Sequence, residues 1–170
     1  MLKRALPASR NALGALALLV LAAVAGIAIH VATATGDTVF SWQRPGYLGV
    51  KDGRLARPKS TPNCVSSQAD PADAEHYIAP IPFKGDAVAA MAAARKAVES
   101  MRGATVIRHE GNYLYAEFRT QIMRFVDDVE FLFDEKAAVI HLRSASRLGR
   151  RDFGVNRARV ESIRSRIEGY

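Results

Sequence analysis

The sequence predicts an α+β fold of two layers, in which two helices cover one face of an antiparallel sheet. Apolar residues recur at helical spacing in residues 87–101 and again in residues 156–167. Between these segments, four short stretches alternate between apolar and polar residues, and short turns join them. Strands connected in this way form a meander, so we predict a four-stranded antiparallel sheet, or five strands if the preceding proline-rich segment adds one. One N-terminal hydrophobic helix precedes this domain.

The hydrophobic helix is the first predicted element. Residues 12–29 carry no charged or strongly polar side chain, and a helix of that length approaches the thickness of a bilayer core. Lys3, Arg4 and Arg10 precede it, which predicts that this head stays in the cytoplasm while the remainder is exported. Residues 1–35 are therefore interpreted as a membrane anchor or a signal peptide.

Both alternatives stay open for this segment. Ala32-Thr33-Ala34 resembles a signal-peptide cleavage site, and cleavage would release the protein into the periplasm. The apolar run is longer than the core of a usual signal peptide, which favours an uncleaved anchor. An anchor would make the chain a single-pass protein of a bacterial-type inner membrane, with its C-terminal domain outside the cytoplasm.

A proline-rich segment follows. Six of the seven prolines lie between Pro45 and Pro82, and none lies after Pro82. This boundary predicts that residues 36–85 are extended or looped and pack on a core formed by residues 86–170. The single cysteine, Cys64, excludes an intramolecular disulfide, and no spacing of cysteine and histidine typical of zinc sites occurs.

The core elements are predicted from caps, turns and periodicity. Asp86 is placed to cap the first helix and Gly103 to end it. The inward residues of this helix are predicted to be Val88, Met91, Ala94, Val98 and Met101. Strands are predicted at Ala104–Glu110, Tyr113–Thr120, Phe125–Phe133 and Ala138–Arg147, with turns at Glu110-Gly111-Asn112 and Asp134-Glu135-Lys136. The last helix is predicted at Asn156–Ile167, with Val160, Ile163 and Ile167 inward and Arg157, Arg159, Arg164 and Arg166 largely outward.

Positive charge is concentrated at the C-terminal end. The net charge is +7, and residues 143–170 hold eight arginines against three acidic residues. Such an end can recruit anionic lipid or an acidic partner. Because no aromatic-basic RNA motif accompanies it, we do not predict nucleic-acid binding.

Two adjacent aspartates interrupt the third strand. Successive strand side chains point to opposite faces, so Asp127 shares the helix-facing side with Phe131, whereas Asp128 and Glu130 point away. A carboxylate on the core face costs roughly several kcal/mol unless it is hydrogen-bonded, which predicts a partner for Asp127. If the turn pairs Phe133 with Ala138, the cross-strand pairs are Asp128 with Arg143, Glu130 with His141, and Asp127 with Ser144.

The face opposite the helices is predicted to be open and polar. Its residues are Tyr115, Glu117, Arg119, Asp128, Glu130, His141, Arg143 and Arg147. These groups are interpreted either as a structural network or as a site for a small anionic or sugar-like ligand. Asp128 and Glu130 lie about 7 Å apart, a separation compatible with glycoside chemistry, but such spacing is common and no catalytic residue is assigned. Only one imidazole lies on this face, so neither a metal site nor a cofactor is predicted.

Four separated motifs stand out in the exported part of the chain: Pro62–Ser67 (PNCVSS), Arg124–Phe131 (RFVDDVEF), Arg143–Arg147 (RSASR) and Asp152–Arg157 (DFGVNR). Together they resemble the DUF1499 family, a domain of unknown function, and the similarity covers residues 48–170. The resemblance implies a small envelope or organelle protein with a hydrophobic leader, and it implies no catalytic assignment. Family members often carry a second cysteine shortly before the first motif, which this sequence lacks.

These motifs and the polar face supply the candidate ligand-binding residues. They are Asn63, Cys64, Ser66, Asp127, Asp128, Glu130, His141, Arg143, Ser144, Ser146, Arg147, Asp152, Asn156 and Arg157. We predict that Asp152 and Asn156 cap the last helix and that Arg147 or Arg157 binds Asp127.

Three functions are considered. The leading prediction is a membrane-anchored envelope protein with a non-catalytic binding or maintenance role, taking a small anionic ligand or a protein partner. One alternative is an enzyme that acts on a small envelope metabolite at the Asp/Arg/Ser cluster. Another is a module whose arginine-rich last helix recruits anionic lipid or an acidic partner.

Overall fold

The computed structural model describes residues 18–24, 43–121 and 125–168. Residues 18–24 are helical and exposed. The elements of the following compact unit are β1 (Cys64–Ser66), β2 (Ile81–Pro82), α1 (Ala87–Glu99), β3 (Ala104–Glu110), β4 (Tyr113–Arg119), β5 (Val126–Asp134), β6 (Val139–Ser146) and α2 (Val155–Glu168).

The predicted N-terminal helix falls largely outside this description. Of residues 12–29 only 18–24 are described, and the alanine-rich cleavage site lies outside the described residues altogether. In the ranges that the structure does describe, no helix combines the length and the apolar character needed to cross a membrane. The anchor and the signal peptide therefore stay predictions.

The predicted α+β class and the meander are confirmed. β3, β4, β5 and β6 pair antiparallel in sequence order. The proline-rich segment adds two short strands, β1 and β2, which both pair antiparallel with β6. The sheet thus has six strands rather than the four or five predicted, because two separate pieces of that segment reach the free edge of β6.

Helix α1 begins where its cap was predicted. The Asp86 carboxylate accepts a hydrogen bond from the Val88 N–H at 2.9 Å, which satisfies one free donor of the first turn. The prediction that Val88 faces the core is wrong, since its side chain is 74% exposed. The buried stripe runs through Ala90, Met91, Ala94, Ala97 and Val98. Val88 lies six residues before Ala94, about 120° around the helix, and so falls off this stripe.

The main core lies between both helices and one face of the sheet, here called the helix face. As predicted, Leu114, Ala116 and Phe118 of β4 contribute to it. The corresponding residues are Val129, Phe131 and Phe133 on β5, Ile140 and Leu142 on β6, and Val160, Ile163 and Ile167 on α2. Alternation along each strand therefore predicted correctly which side chains are buried here.

The opposite face is covered, which corrects the prediction of an open polar surface. The segment of residues 43–59, here called the covering segment, lies across it. Leu55 is 5% exposed and packs with Tyr113, Tyr115 and Leu132, while Leu48 is partly buried beside them. Both faces of the sheet are thus buried, and the charged residues of this face need partners inside the protein.

The β5–β6 pairing is shifted by two residues from the predicted register. Phe133 pairs with Ile140 rather than with Ala138, and the loop spans residues 135–138. The Asp134 carboxylate accepts hydrogen bonds from the N–H groups of Lys136 and Ala137, both at 3.0 Å, and Ala138 adopts a φ of +50°. This local turn chemistry moves the four-residue loop one residue further along the chain than predicted. A register shift of two residues keeps each side chain on its predicted face of the sheet, but it changes every cross-strand partner.

We predict that Gly103→Ala destabilises the domain by about 2 kcal/mol or more. Gly103 has a φ of +80°, and a Cβ there would collide with the carbonyl oxygen of Arg119. The N–H of Arg119 donates a hydrogen bond to the Gly103 carbonyl at 2.9 Å, so the two residues cannot easily move apart. Gly111→Ala is the matched control, because Gly111 has a φ of +54° but open space around its Cβ position. Thermal unfolding followed by circular dichroism should give a clearly larger loss of Tm for Gly103→Ala. Equal losses would mean that backbone conformation alone matters.

Candidate functional site

A buried polar network lies between the covering segment and the sheet. This covered-face network comprises Tyr113, Tyr115 and Glu117 of β4, Asp128 and Glu130 of β5, Arg143 of β6, and Arg147 just after β6. Strand alternation places all of them on one face, since each occupies a position opposite to the core residues. Three carboxylates share this space with two arginines, so their pairing decides what the site can do.

Glu130 and Arg143 form the first buried ion pair. Arg143 Nη1 lies 3.2 Å from Glu130 Oε2, and the side chains are 1% and 0% exposed. Tyr113 and the Gly49 N–H each donate to Glu130 Oε1 at 2.8 Å. The Arg143 guanidinium lies over the Tyr47 ring, 5.2 Å from its centroid. Arg143 Nε is the only buried side-chain polar atom in the described ranges that lacks a hydrogen-bond partner.

The predicted Asp128–Arg143 pair is wrong, because the register shift places Asp128 opposite Ala145. Asp128 instead binds Arg147, whose Nε and Nη2 donate to the two carboxylate oxygens at 3.0 Å and 2.7 Å. The prediction that Arg147 could bind Asp127 is wrong for a related reason. Arg147 follows the parity of Arg143, so it points to the covered face, whereas Asp127 points to the helix face.

Glu117 completes the covered-face network. Arg147 Nη2 donates to Glu117 Oε1 at 2.6 Å, and Arg44 Nε from the covering segment donates to the same oxygen at 2.8 Å. Burial alone would raise the pKa of Glu117, but these hydrogen bonds outweigh it and lower the pKa to about 2. Burial and a hydrogen bond to Asp128 raise the pKa of Tyr115, so its hydroxyl stays a donor. Each carboxylate of this face is thus paired with an arginine.

A second network, the helix-face network, surrounds Asp127. The prediction of Ser144 or Arg157 as its partner is wrong, because Arg159 Nη2 lies 2.5 Å from Asp127 Oδ2. Arg159 was predicted to face outward, but only 9% of its side chain is exposed. It lies four residues before the inward Ile163, within about 40° around the helix, and can therefore reach the sheet. Its guanidinium also stacks on Phe118, 4.8 Å from the ring centroid.

Asn156 joins three of the sequence motifs in this network. Its side-chain amide donates to Asn63 O and Ser146 Oγ, both at 2.9 Å, and its Oδ1 accepts from Ser144 Oγ at 2.6 Å. As predicted, Asp152 caps α2, since its Oδ2 accepts from the Asn156 N–H at 2.8 Å. The prediction that Asn156 is also a cap is wrong, because Asn156 lies within the helix and its side chain binds groups outside it. The Asn63 amide in turn donates to the Gly149 carbonyl at 2.6 Å. The PNCVSS, RSASR and DFGVNR motifs therefore converge at the start of α2.

Four further candidate residues lie outside both networks. Burial raises the pKa of the Cys64 thiol, whose sulfur accepts from the Lys59 N–H at 3.2 Å. Ser66 Oγ accepts from the Gln68 N–H, and Arg157 donates to the Tyr77 carbonyl at 2.9 Å. Burial lowers the pKa of His141, whose Nδ1 lies 3.3 Å from Ser67 Oγ. Within the described parts of the chain, no group of three or more Cys, His, Asp and Glu residues is arranged to hold a metal ion.

An apolar groove beside the helix-face network was not predicted. Its volume is about 230 Å³, and it is lined by Thr120, Phe125, Val126, Asp127, Ser146, Leu148, Gly149, Arg151, Asp152, Phe153 and Val155. Phe153 is 95% exposed and Val155 47% exposed at its rim. Phe153 also has a φ of +55°, a conformation that costs a non-glycine residue about 1–2 kcal/mol. The one sequence feature that could have indicated this groove is an aromatic residue, Phe153, between a capping Asp and a Gly.

Unpaired positive charge lies next to this groove. Arg150 and Arg151 are exposed and make no side-chain hydrogen bond or ion pair in the described structure. Three arginines of α2 differ, because they bind groups within the protein. Arg159 binds Asp127, Arg157 binds the Tyr77 carbonyl, and Arg164 binds the Ala79 and Pro80 carbonyls. The fourth arginine of α2, Arg166, is exposed and donates to Ser100 Oγ at 3.3 Å. Exposed positive charge therefore lies both in the β6–α2 loop beside the groove and at the end of α2.

Comparison with known proteins agrees with the resemblance of the motifs. A family model described as a protein of unknown function (DUF1499) matches residues 54–167. The matched range includes both networks, while their partners Arg44, Tyr47 and Gly49 in the covering segment lie before it. No curated protein and no solved structure matches the chain.

We predict that the stability of the domain falls in acid through Glu117. Its pKa lies at about 2 in the folded protein against an ordinary 4.5, so its contribution is complete above about pH 4.5 and is lost as the pH falls towards 2. In Glu117→Gln the free energy of unfolding should depend less steeply on pH in this window. The control is Glu99→Gln, which removes a half-exposed partner of Arg95. Identical pH profiles for wild type and Glu117→Gln, from denaturant titrations, would refute the assignment.

We also predict strong coupling between Asp127 and Arg159. Removing one partner of a buried ion pair leaves the other charge uncompensated, so Asp127→Asn and Arg159→Met should each cost about 3–5 kcal/mol. The double variant should cost less than the sum by about 1–3 kcal/mol, as urea unfolding would measure. Arg166→Met, on the same helix but exposed, should change stability by less than about 0.5 kcal/mol. Strict additivity would mean that the pair is not formed.

Proposed function

This chain belongs to the DUF1499 family, whose function is unknown, and we propose that it is a membrane-tethered, non-catalytic binding domain of the cell envelope. In this proposal the ligand binds in the apolar groove at the start of α2. The charged motif residues build the frame that holds the groove open. The proposal assigns the two sets of residues different roles, and each role rests on a separate feature.

One observation carries the proposal: the charged motif residues are buried and paired, whereas apolar residues at the groove are exposed to solvent. The carboxylates Asp127, Asp128 and Glu130 are at most 4% exposed, and each is bound by an arginine. Phe153 and Val155, by contrast, are 95% and 47% exposed. Exposed apolar residues clustered around a concave surface are typical of binding sites.

Non-catalytic binding is favoured over hydrolysis at the Asp/Arg/Ser cluster. A general acid or base must reach its substrate within hydrogen-bond distance and exchange protons near neutral pH. Asp128 and Glu117 lie beneath the covering segment, and Arg147 bridges them. Asp127 borders the groove, but its carboxylate is already bound by Arg159. These carboxylates are therefore better suited to stabilising the fold than to transferring protons to or from a substrate.

The envelope assignment rests on the N-terminal sequence. The uncharged run of residues 12–29 follows a basic head, which favours insertion with the domain on the exported side. Residues 30–42 then connect this run to the start of the described domain. A binding domain on such a short connection would work close to the membrane.

Native mass spectrometry of the full-length chain, extracted from bacterial host membranes in mild detergent, tests the proposal. The wild type should carry an added mass that Val155→Trp loses, because the larger side chain fills the groove. Val88→Trp is the matched control, since Val88 is also an exposed valine in the first turn of a helix. This control accounts for lipid bound by the hydrophobic segment. An added mass that both variants retain equally, or none in the wild type, would contradict the proposal.

A further inference from the structure

We infer that the β6–α2 loop docks on an anionic phospholipid bilayer, with Phe153 entering the interface and Arg150 and Arg151 contacting lipid phosphates. This inference rests on the proposed function and names the chemistry of the groove's occupant. It assigns a membrane-facing side to the domain, formed by the groove and this loop rather than by the arginine-rich helix.

The first step is the rigid exposure of Phe153. An aromatic side chain that is 95% exposed gains nothing from burial, yet it is held at a φ of +55°. The turn that holds it is fixed by its neighbours. Asp152 Oδ1 accepts from the Gly154 N–H at 3.1 Å, while Asp152 Oδ2 accepts from both the backbone and the side chain of Asn156. Strained positions that surrounding structure enforces are concentrated at functional sites.

The second step is the composition of the surface around Phe153. The groove continues its apolar surface through Leu148 and Val126, and Phe125 is 42% exposed at the rim. Aromatic residues flanked by arginines are typical of the membrane interface, where the ring meets the acyl boundary and the guanidinium meets phosphate.

The third step is the charge of this surface. Arg150 and Arg151 are exposed and have no partner among the groups of the described structure, so they are available to an external anion. Two carboxylates border the groove. Asp127 is paired with Arg159, whereas Asp152 accepts hydrogen bonds from the neutral amides of Gly154 and Asn156, which leave its formal charge in place. Arg150, Arg151 and Asp152 together therefore carry a formal net charge of +1. Arginines near an anionic leaflet add attraction that salt weakens.

The fourth step is the length of chain between the hydrophobic run and the domain. Residues 30–42 span at most about 45 Å when fully extended. If the run lies in a bilayer, this tether keeps the domain beside the lipid surface at a high effective concentration. A weak contact made by one aromatic residue and two arginines is then sufficient. A groove of about 230 Å³ is smaller than a usual ligand pocket and accepts a short apolar group rather than a large molecule.

Tryptophan fluorescence of the full-length chain in vesicles tests this inference. The chain contains a single tryptophan, Trp42, so Trp42→Phe provides a silent background into which Phe153→Trp is introduced. The variant is reconstituted into phosphatidylcholine vesicles or into vesicles of equal parts phosphatidylcholine and phosphatidylglycerol, with and without brominated acyl chains as quencher. Val88→Trp in the same background is the control for an exposed position far from the loop in sequence.

We expect a blue shift for Phe153→Trp, with quenching by brominated lipid several-fold greater than for Val88→Trp, in vesicles that contain phosphatidylglycerol. Adding Arg150→Gln and Arg151→Gln should remove the dependence on phosphatidylglycerol. With both arginines present, high salt should weaken the blue shift and the quenching of Phe153→Trp. Equal signals in the two vesicle types would overturn the selectivity for anionic lipid. Equal quenching of Phe153→Trp and Val88→Trp would overturn membrane docking itself.

The two proposals fail separately. If docking is absent but the wild type carries an added mass that Val155→Trp loses, the bilayer inference falls and the groove is a binding site for another ligand. If a purified envelope protein, and not vesicles, shifts the fluorescence of Phe153→Trp, the occupant is a protein and the inference is likewise overturned. If both the added mass and the docking are absent, the proposed function falls with it.

Discussion

The adjacent aspartates of β5 impose the constraint on which the rest of the structure depends. Because strand side chains alternate, Asp127 and Asp128 point to opposite faces of one sheet, and both are buried. A buried carboxylate requires a compensating charge and hydrogen bonds, so each face must supply its own arginine. Arg159 supplies it on the helix face and Arg147 on the covered face.

The two arginines link distant parts of the chain. Arg159 fixes α2 on the sheet and, through Asn156, connects the helix to the PNCVSS segment. Arg147 fixes Asp128 and Glu117, and Arg44 of the covering segment reaches the same Glu117 oxygen. The polar motifs therefore act mainly as a frame. The frame holds the start of α2 and its preceding loop in one position, and this position exposes Phe153.

The secondary structure and the burial faces could be predicted from the sequence, because periodicity reports them directly. Phe131 and Leu114 are buried as their alternation indicated, and Asp86 caps α1. The register of β5 and β6 could not be predicted in this way. It depends on how Asp134 binds two backbone N–H groups and on the left-handed conformation of Ala138, neither of which leaves a mark in the apolar pattern.

The candidate site was harder to predict than the fold. Charged residues on a strand face resemble a solvated surface, and only the covering segment turns them into a buried network. From the sequence, Arg159 resembles an exposed residue of an arginine-rich helix. Only the burial of Asp127 on the helix face shows that Arg159 points inward to pair with it. The groove depends on loop conformation at Phe153 and Leu148, which periodicity does not encode. The hydrogen bond that links Asn156 to the Asn63 carbonyl likewise depends on how separate segments meet, which no local pattern indicates.

Native-state amide hydrogen exchange of the full-length chain tests the central claim most directly, namely that the charged motif residues form one structural frame. If the frame is cooperative, the slowest amides of β5, β6 and α2 should exchange through the same opening event, with equal free energies and equal dependence on denaturant. Substantially faster exchange of α2 than of β5, with its own dependence on denaturant, would show that the helix opens independently and would contradict the claim.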